Sequence, residues 1–463
     1  MDDQELCYTD IATLGWRYRS RALSPVEATR AVLDRIGRLD RRLNSFITVL
    51  EQPALEQARQ AEAELFQGID RGPLHGVPVS LKDLIDTAGI RTTAASRLWR
   101  DRVPATTATV ASRLEQAGAV LIGKCNLLEF AYGIVHPDYG QCNNPWDVAR
   151  TSGGSSSGSA ASVAAGMGWG SIGTDTGGSI RIPAAYCGVV GLKPTYGRVS
   201  LYGVCPLSAS LDHAGPLART VADAAILLGA IAGHDPLDPS SLADPPADYH
   251  AALADSVRGL RVGVVVEHIG DDLHPGVADA TWAAVRELEQ AGMQLREVHI
   301  ARLREADAPL LAVVMPEATL VHAAWLRERP ADYAALTRAQ LEQGARITAV
   351  DYLQARAFCD QLRADLLEAL RDVDVLIGPA VAWEAPAEDP PVGDSEGAAE
   401  ARRTAPYNMT GLPAISVPCG FGRQGLPLGL QIAAAPLAEQ MLLRVAHAYE
   451  QRAGWFQQRP PLI

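Results

Sequence analysis

The chain has 463 residues, 48% of them hydrophobic, and a formal net charge of −13. That apolar content excludes a disordered chain, and the length leaves room for two domains or one large fold. An acidic balance with no basic block or Arg-rich helix argues against nucleic acid or an acidic membrane surface as the main partner, and fits a soluble enzyme with a small substrate.

The start, MDDQELCYTDIATL, carries acidic residues where a secretory signal needs a positive region, and no later stretch reads as membrane-spanning, so a cytoplasmic location is expected. Ser24 to Gln67 has helical periodicity, with Ser24 as N-cap, Pro25 at the first helical position and Glu27 three residues after the cap. PLHGVPVSLKD then supplies a short Val-rich strand. Thr107 to Gly118 reads as a helix ending at glycine and running straight into the strand AVLIGKC. SAASVAAGMG reads as a short helix of small residues and WGSIGTD as a strand. LRVGVVV (260–266), DVLIG (374–378), AISVPC (414–419) and LGLQIAA (428–434) are further strands, mostly separated by helical stretches. Such alternation predicts an α/β layer fold with a largely buried sheet. PAEDPPVGDSEGAAEA (386–401), acidic and rich in Pro and Gly, reads as a surface loop near a site entrance. Cys7, Cys125, Cys142, Cys187, Cys205, Cys359 and Cys419 form an odd, scattered set without a CxxC pair, so neither a disulfide framework nor a zinc ribbon is expected.

Residues 151–182, TSGGSSSGSAASVAAGMGWGSIGTDTGGSIRI, hold two Gly/Ser clusters. A flexible linker would lack the buryable sequence between them. A phosphate loop would need GxxxxGK[ST], or GxGxxG after a strand, and neither is present. Gly154 to Gly158 formally match GxSxG, which would make Ser156 a nucleophile and His213 its candidate base, but that motif needs a strand leading into the turn, and NNPWDVARTSG is made of turn formers.

The segments GGSSSGSAASVAAG and GTDTGGSIRIPAAYCGVVGLKPTYGRVS, preceded by GVPVSLKD, resemble the signature of the amidase signature family of serine amidases. The likeness extends through FAYG, NNPWD, LDHAGPLARTVADAA, GLPAISVPCGF and LPLGLQIAA, and so covers nearly the whole chain. It implies one domain over 1–463 built on a central mixed β-sheet covered by helices on both faces. Within it lie an N-terminal helical segment (1–68), a signature core (69–240) and a remaining α/β part (241–463) with substrate-pocket elements. It also implies a Ser-Ser-Lys triad: Ser179 as nucleophile, Ser155 as bridging serine with a cis peptide bond, and Lys82 as base.

The chemistry explains those residue types. Amide hydrolysis needs a serine that loses its proton during attack, and a lysine serves as base at neutral pH only if burial disfavours its ammonium form. Backbone N–H groups of Thr176, Gly177, Gly178 and Ser179 could converge on the developing oxyanion. The resemblance assigns Asp175 and Arg181 to a supporting ion pair, and Thr174 and Ser156 to hydrogen bonds around the bridging serine. The family pattern usually reads GGSSGG, whereas Ser157 stands at the third cluster position here. No metal or other cofactor is expected, since no His/Cys/Asp cluster has ligand spacing.

The family includes amidases for many amides, carbamates and urea derivatives, and the glutaminase subunit of the tRNA-dependent amidotransferase. AEARRTAPYNMTGLP reads as lacking the acidic residue expected just upstream of GLP to hold the α-amino group of glutamine, and Tyr132, Ile134, Val135, Cys205 and Leu207 suggest a mostly apolar pocket. These features favour a free-standing amidase for small neutral carboxamides, anilides or carbamates over the amidotransferase component. The expected partner is a small-molecule amide; a homodimer stays open.

Overall fold

A computed structural model describes residues 3–270, 272–391 and 395–461. Its strands are β1 (Phe46–Val49), β2 (Pro78–Lys82), β3 (Val120–Cys125), β4 (Gly170–Asp175), β5 (Val190–Lys193), β6 (His213–Ala218), β7 (Arg261–Val265), β8 (Gln294–Val298), β9 (Val375–Pro379), β10 (Ala414–Phe421) and β11 (Pro427–Ala433). All join one sheet in the order β1-β3-β2-β4-β6-β5-β10-β11-β9-β7-β8. The sheet is mixed: β2 runs parallel to β3 and β4, and β7 parallel to β8 and β9, while β4, β6, β5, β10, β11 and β9 pair antiparallel in sequence across the middle. Successive side chains of a strand point to opposite faces. Every residue of β2, β4, β5, β6, β9 and β11 is buried, so the centre of the sheet is covered on both faces. The outer strands β1 and β8 are partly exposed, and β8 carries Arg296 and Glu297, charges that discourage edge pairing.

The expected helix over 24–67 is corrected. Helix Pro25–Leu43 starts as foreseen, with a capping box between Ser24 and Glu27, but stops at Asn44, whose left-handed backbone (φ 55°) ends it. The Asp40 carboxylate accepts the backbone N–H of Ser45 at 2.7 Å and turns the chain outward. The β-branched run Ile47-Thr48-Val49 then pairs with β3 as β1, and the helix resumes over Glu51–Phe66. The strand expectations at β2, β3, β4, β7, β9, β10 and β11 agree with the observed strands, and the small-residue helix forms over Ser157–Ala164.

Two further expectations change. The stretch 386–401 is not all loop: it ends in helix Ser395–Ala401, and its residues 392–394 lie outside the described residues. Helix Asp307–Glu328, 22 residues long, is long and apolar enough to cross a membrane by length and composition, contrary to the reading of the sequence. In this fold it packs against helices Ala335–Gly344 and Ala349–Asp372, and its Glu317 accepts hydrogen bonds from Ser208, Ser210 and Tyr352. All seven cysteines are free, and all but Cys205 are buried.

Candidate active site

Strand β2 delivers Lys82 at its last residue into the interior, with no exposed surface. Nζ lies 2.7 Å from Ser155 Oγ, 2.9 Å from Thr174 Oγ1 and 3.0 Å from Ser156 Oγ. Ser156 Oγ already donates to the Thr174 carbonyl at 3.0 Å, so it accepts from the lysine. Ser155 makes the shortest contact, and a neutral amine has one lone pair to receive its proton. Burial lowers the Lys82 ammonium to about 7, while the carboxylates of Asp175 and Asp212 pull the other way. The Gly154–Ser155 peptide is cis.

Beyond Ser156 the chain enters helix Ser157–Ala164, with Ser157 buried in its first turn. Gly158 is required there, because a Cβ would collide with the Ser45 carbonyl and the backbone of Asn126. Strand β4 carries Thr174 and Asp175, and the turn 176–180 leads into helix Arg181–Cys187. Asp175 Oδ2 accepts the N–H of Ile180 at 3.1 Å, which ties the two ends of that turn together. The Arg181 guanidinium grips Asp175 with two bonds of 3.0 and 2.9 Å, both side chains fully buried. Desolvation alone would raise the Asp175 carboxyl; the charges of Arg181 and Lys193 and the hydrogen bonds of Arg181 and Asn408 outweigh it and hold it well below the carboxylate range. Arg181 also donates to Thr404 O (2.8 Å), Gln431 Oε1 (2.7 Å) and Asn408 Oδ1 (2.6 Å), linking the turn to the C-terminal half. At Gly178 φ is +140°, and a Cβ would overlap the Thr404 side chain, whose hydroxyl donates to Gly177 O at 2.6 Å.

One pocket opens on this turn. Ser155, Gly154, Thr176, Gly177 and Ser179 form its polar end, and Leu128, Tyr132, Ile182, Leu207, Leu310 and Val314 its apolar walls. Of the expected pocket residues it includes Tyr132 and Leu207; Ile134, Val135 and Cys205 stand outside its lining, as does Gly178. Ser156 is also outside, turned to Lys82 and the Thr174 carbonyl, and His213 on β6 is buried with Nδ1 2.7 Å from Leu211 O, so the GxSxG reading has no geometry behind it.

The pocket also holds two carboxyls absent from the sequence reading. Glu400, in the stretch taken to lack an acidic residue, lines the pocket and accepts from Tyr186 Oη at 2.9 Å; burial, with Asp389 nearby, pushes it up to about 8. Asp389 accepts from Thr151 Oγ1 at 2.8 Å through Oδ2, and burial raises it to about 6 although that bond and the backbone N–H of Gly154 pull the other way. No basic residue lines the pocket among the described residues. Arg402 pairs with Asp307 and Asp272, and Arg403 with Asp272 and the His268 carbonyl. No group of three or more His, Cys, Asp or Glu residues is placed to hold a metal among the described residues. Asp389, in an acidic loop, gave no local signal; Glu400 was hidden by the two arginines beside it.

A buried lysine bonded to a hydroxyl thus stands beside a turn of small residues that opens on a cleft in an α/β fold. The model of the Amidase family matches residues 27–443, and the chain belongs to that family: it is an amidase-signature amidohydrolase. It is 40% identical to the A-type subunit of the glutamyl-tRNA(Gln) amidotransferase of Gloeobacter violaceus, over 98% of each chain. Among solved structures it resembles a chain of a vestigial protein complex bearing on the origins of an s-triazine catabolic enzyme (TM-score 0.90, 32% identity, 96% of this chain and 99% of that one). It also resembles the peptide amidase of Stenotrophomonas maltophilia (TM-score 0.84, 34% identity, 98% of each chain).

Proposed function

We propose that the chain hydrolyses the C–N bond of small primary carboxamides whose acyl part is uncharged or carries an amine, through an acyl-enzyme on Ser179. Ser179 Oγ attacks the carbonyl and gives its proton to Ser155, which passes its own to neutral Lys82; the same path returns a proton to the departing ammonia. Amides of the turn 176–179 receive the oxyanion. Water then repeats the sequence on the acyl-enzyme. The observation that carries the substrate class is the lining of the pocket: apolar walls, two buried carboxyls and no basic side chain among the described residues. A carboxylate on the acyl group would meet the charge of Asp389 and find no counter-ion.

A second reading, the glutaminase component of an amidotransferase working with protein partners and tRNA, is favoured by the full-length 40% identity to the amidotransferase relatives, and on that ground the relatives weigh toward it. Glu400 supplies a carboxyl for an α-amino group; nothing in the described lining matches the α-carboxylate. The deciding measurement is ammonia release by the isolated chain from butyramide, an ω-amino carboxamide and glutamine. The first two are expected to exceed glutamine by at least roughly tenfold in kcat/KM, one buried unpaired charge being worth more than that. Efficient hydrolysis of glutamine with poor turnover of the others would establish the second reading.

A further inference from the structure

We propose that Asp212 is a positioning residue of this reaction, holding the turn that carries Thr176 and the pocket wall at Leu207 in register from one carboxylate. The inference rests on the reading of Ser179 as nucleophile. Asp212 lies on the segment leading into β6 and is buried. Its Oδ1 accepts the Thr176 hydroxyl at 2.6 Å, and its Oδ2 accepts the backbone N–H groups of Leu207 (2.8 Å) and Ser208 (3.0 Å). Thr176 and Leu207 both line the pocket, so two of its surfaces are referenced to oxygens of the same carboxylate.

The network continues outward. Ser208 Oγ donates to Glu317 Oε2 at 2.6 Å, Ser210 donates to Glu317 through its N–H (3.1 Å) and hydroxyl (2.7 Å), and Tyr352 Oη donates to Glu317 Oε1 at 2.8 Å. Glu317 stands three residues beyond Val314 and seven beyond Leu310 on helix Asp307–Glu328, a spacing that puts all three on one helix face. Leu310 and Val314 form part of the apolar wall. The segment 207–212 thus ties the turn at 176 to the helix that shapes the acyl site. Donors to an oxyanion act only when held where the charge develops, so a hydroxyl–carboxylate bond on the residue that supplies one of them bears directly on rate.

Asp212 has a second influence. Of the two carboxylates whose fields reach Lys82, Asp175 is bound by Arg181, whereas the hydrogen-bond partners of Asp212 are a hydroxyl and two amides. Lys82, Glu317, Cys205 and Tyr196 are the titratable groups whose fields couple to Asp212. Burial raises Asp212 to about 6, so it is mostly ionised where Lys82 titrates, and it keeps the ammonium more stable than burial alone would. Removing that charge lowers the proton affinity of Lys82, and the base becomes available at lower pH.

The test uses the full-length chain and a small alkyl fluorophosphonate, followed by intact-mass spectrometry. Phosphonylation forms the Ser179 Oγ–P bond and expels fluoride, while the serine proton leaves through Ser155 to Lys82. It therefore reads nucleophile, relay and oxyanion site without a known substrate. In Asp212→Asn the maximal labelling rate is expected to fall about tenfold or more with little change in the half-saturating concentration. The acid limb of its pH profile is expected to move to lower pH by roughly half a unit. Loss of packing alone would slow labelling without moving the limb in that direction. Should Asp212→Asn fail to fold, Thr176→Val carries the test through the same fall in maximal rate at unchanged half-saturation. A folded variant that labels at the wild-type rate with an unmoved limb overturns the positioning role alone; a wild-type chain that gains no phosphonyl group on Ser179 at any pH overturns the reading of the site and this inference with it.

Discussion

Lys82→Met is expected to lose amide turnover by roughly a hundred- to ten-thousandfold, the range spanned by a general base, while the folded chain becomes more heat-stable at and below neutral pH. The two effects have one cause. Lys82 is fully buried, bonded to three hydroxyls, and burial lowers it to about 7. In the unfolded chain a lysine titrates near ~10.4. Between those values the unfolded state binds the extra proton, so the contribution of Lys82 to stability rises with pH across that window and is most unfavourable below it. At about 1.4 kcal/mol per pH unit the penalty approaches an order of 4 to 5 kcal/mol at pH 7 and below. Methionine removes it and keeps the length of the side chain, at the cost of hydrogen bonds to Ser155, Ser156 and Thr174. The gain in Tm should therefore be largest near pH 6, shrink through pH 8 and 9, and turn into a small loss before pH 10, where only the missing hydrogen bonds remain. Wild-type kcat/KM should rise with pH through about 7. A variant that keeps near-normal turnover would remove Lys82 from the reaction, and a Tm difference independent of pH would mean that the lysine is not held neutral.

What could be read in the sequence was what is encoded locally. The capping box at Ser24, the Val-rich β2, and the Gly/Ser clusters at 152–158 and 177–179 carry their geometry within a few residues; Ser156 and Thr174, expected to bond around Ser155, are found bonded to Lys82 instead. The break at Asn44 was hidden because apolar periodicity continues on either side of a four-residue strand. Strand β6, His213–Ala218, contains Gly215 and Pro216 and fails every local test for a strand, yet it is held between β4 and β5. Strand β8 lies at an edge with three exposed residues of five, so no buried pattern marked it. The hydroxyls that donate to Asp212, Asp389 and Glu400 lie 36 to 238 residues away along the chain, and no spacing rule reaches that far.

Arg181→Met is expected to cost about 3 to 5 kcal/mol of stability at neutral pH, the largest structural loss available at this site, because it strands a buried carboxylate. Asp175 has no solvent contact and takes two of the guanidinium bonds; Asn408 Nδ2 also donates to its Oδ1 at 2.8 Å, but an amide does not replace a charge. In the wild type the carboxyl is held well below its ordinary value, so the stability it contributes is complete above the unfolded carboxylate range and is lost only as pH falls through the folded value. Without Arg181, desolvation dominates and raises the carboxyl instead. The destabilisation should therefore be greatest at neutral and higher pH and diminish on acidification below the raised value, where Asp175 takes up a proton before an exposed carboxylate would. Adding Asp175→Asn to Arg181→Met removes the stranded charge and should recover part of the loss at pH 7, although the Thr404 carbonyl, Gln431 and Asn408 still lack their donor. Labelling of Ser179 should remain impaired in both variants, since the turn 176–180 is anchored through Asp175 at one end and Arg181 at the other. Urea unfolding at pH 5 and pH 8 distinguishes these cases: a loss that is the same at both values, or a double variant no more stable than the single one, would show that the pair acts by packing and not by charge.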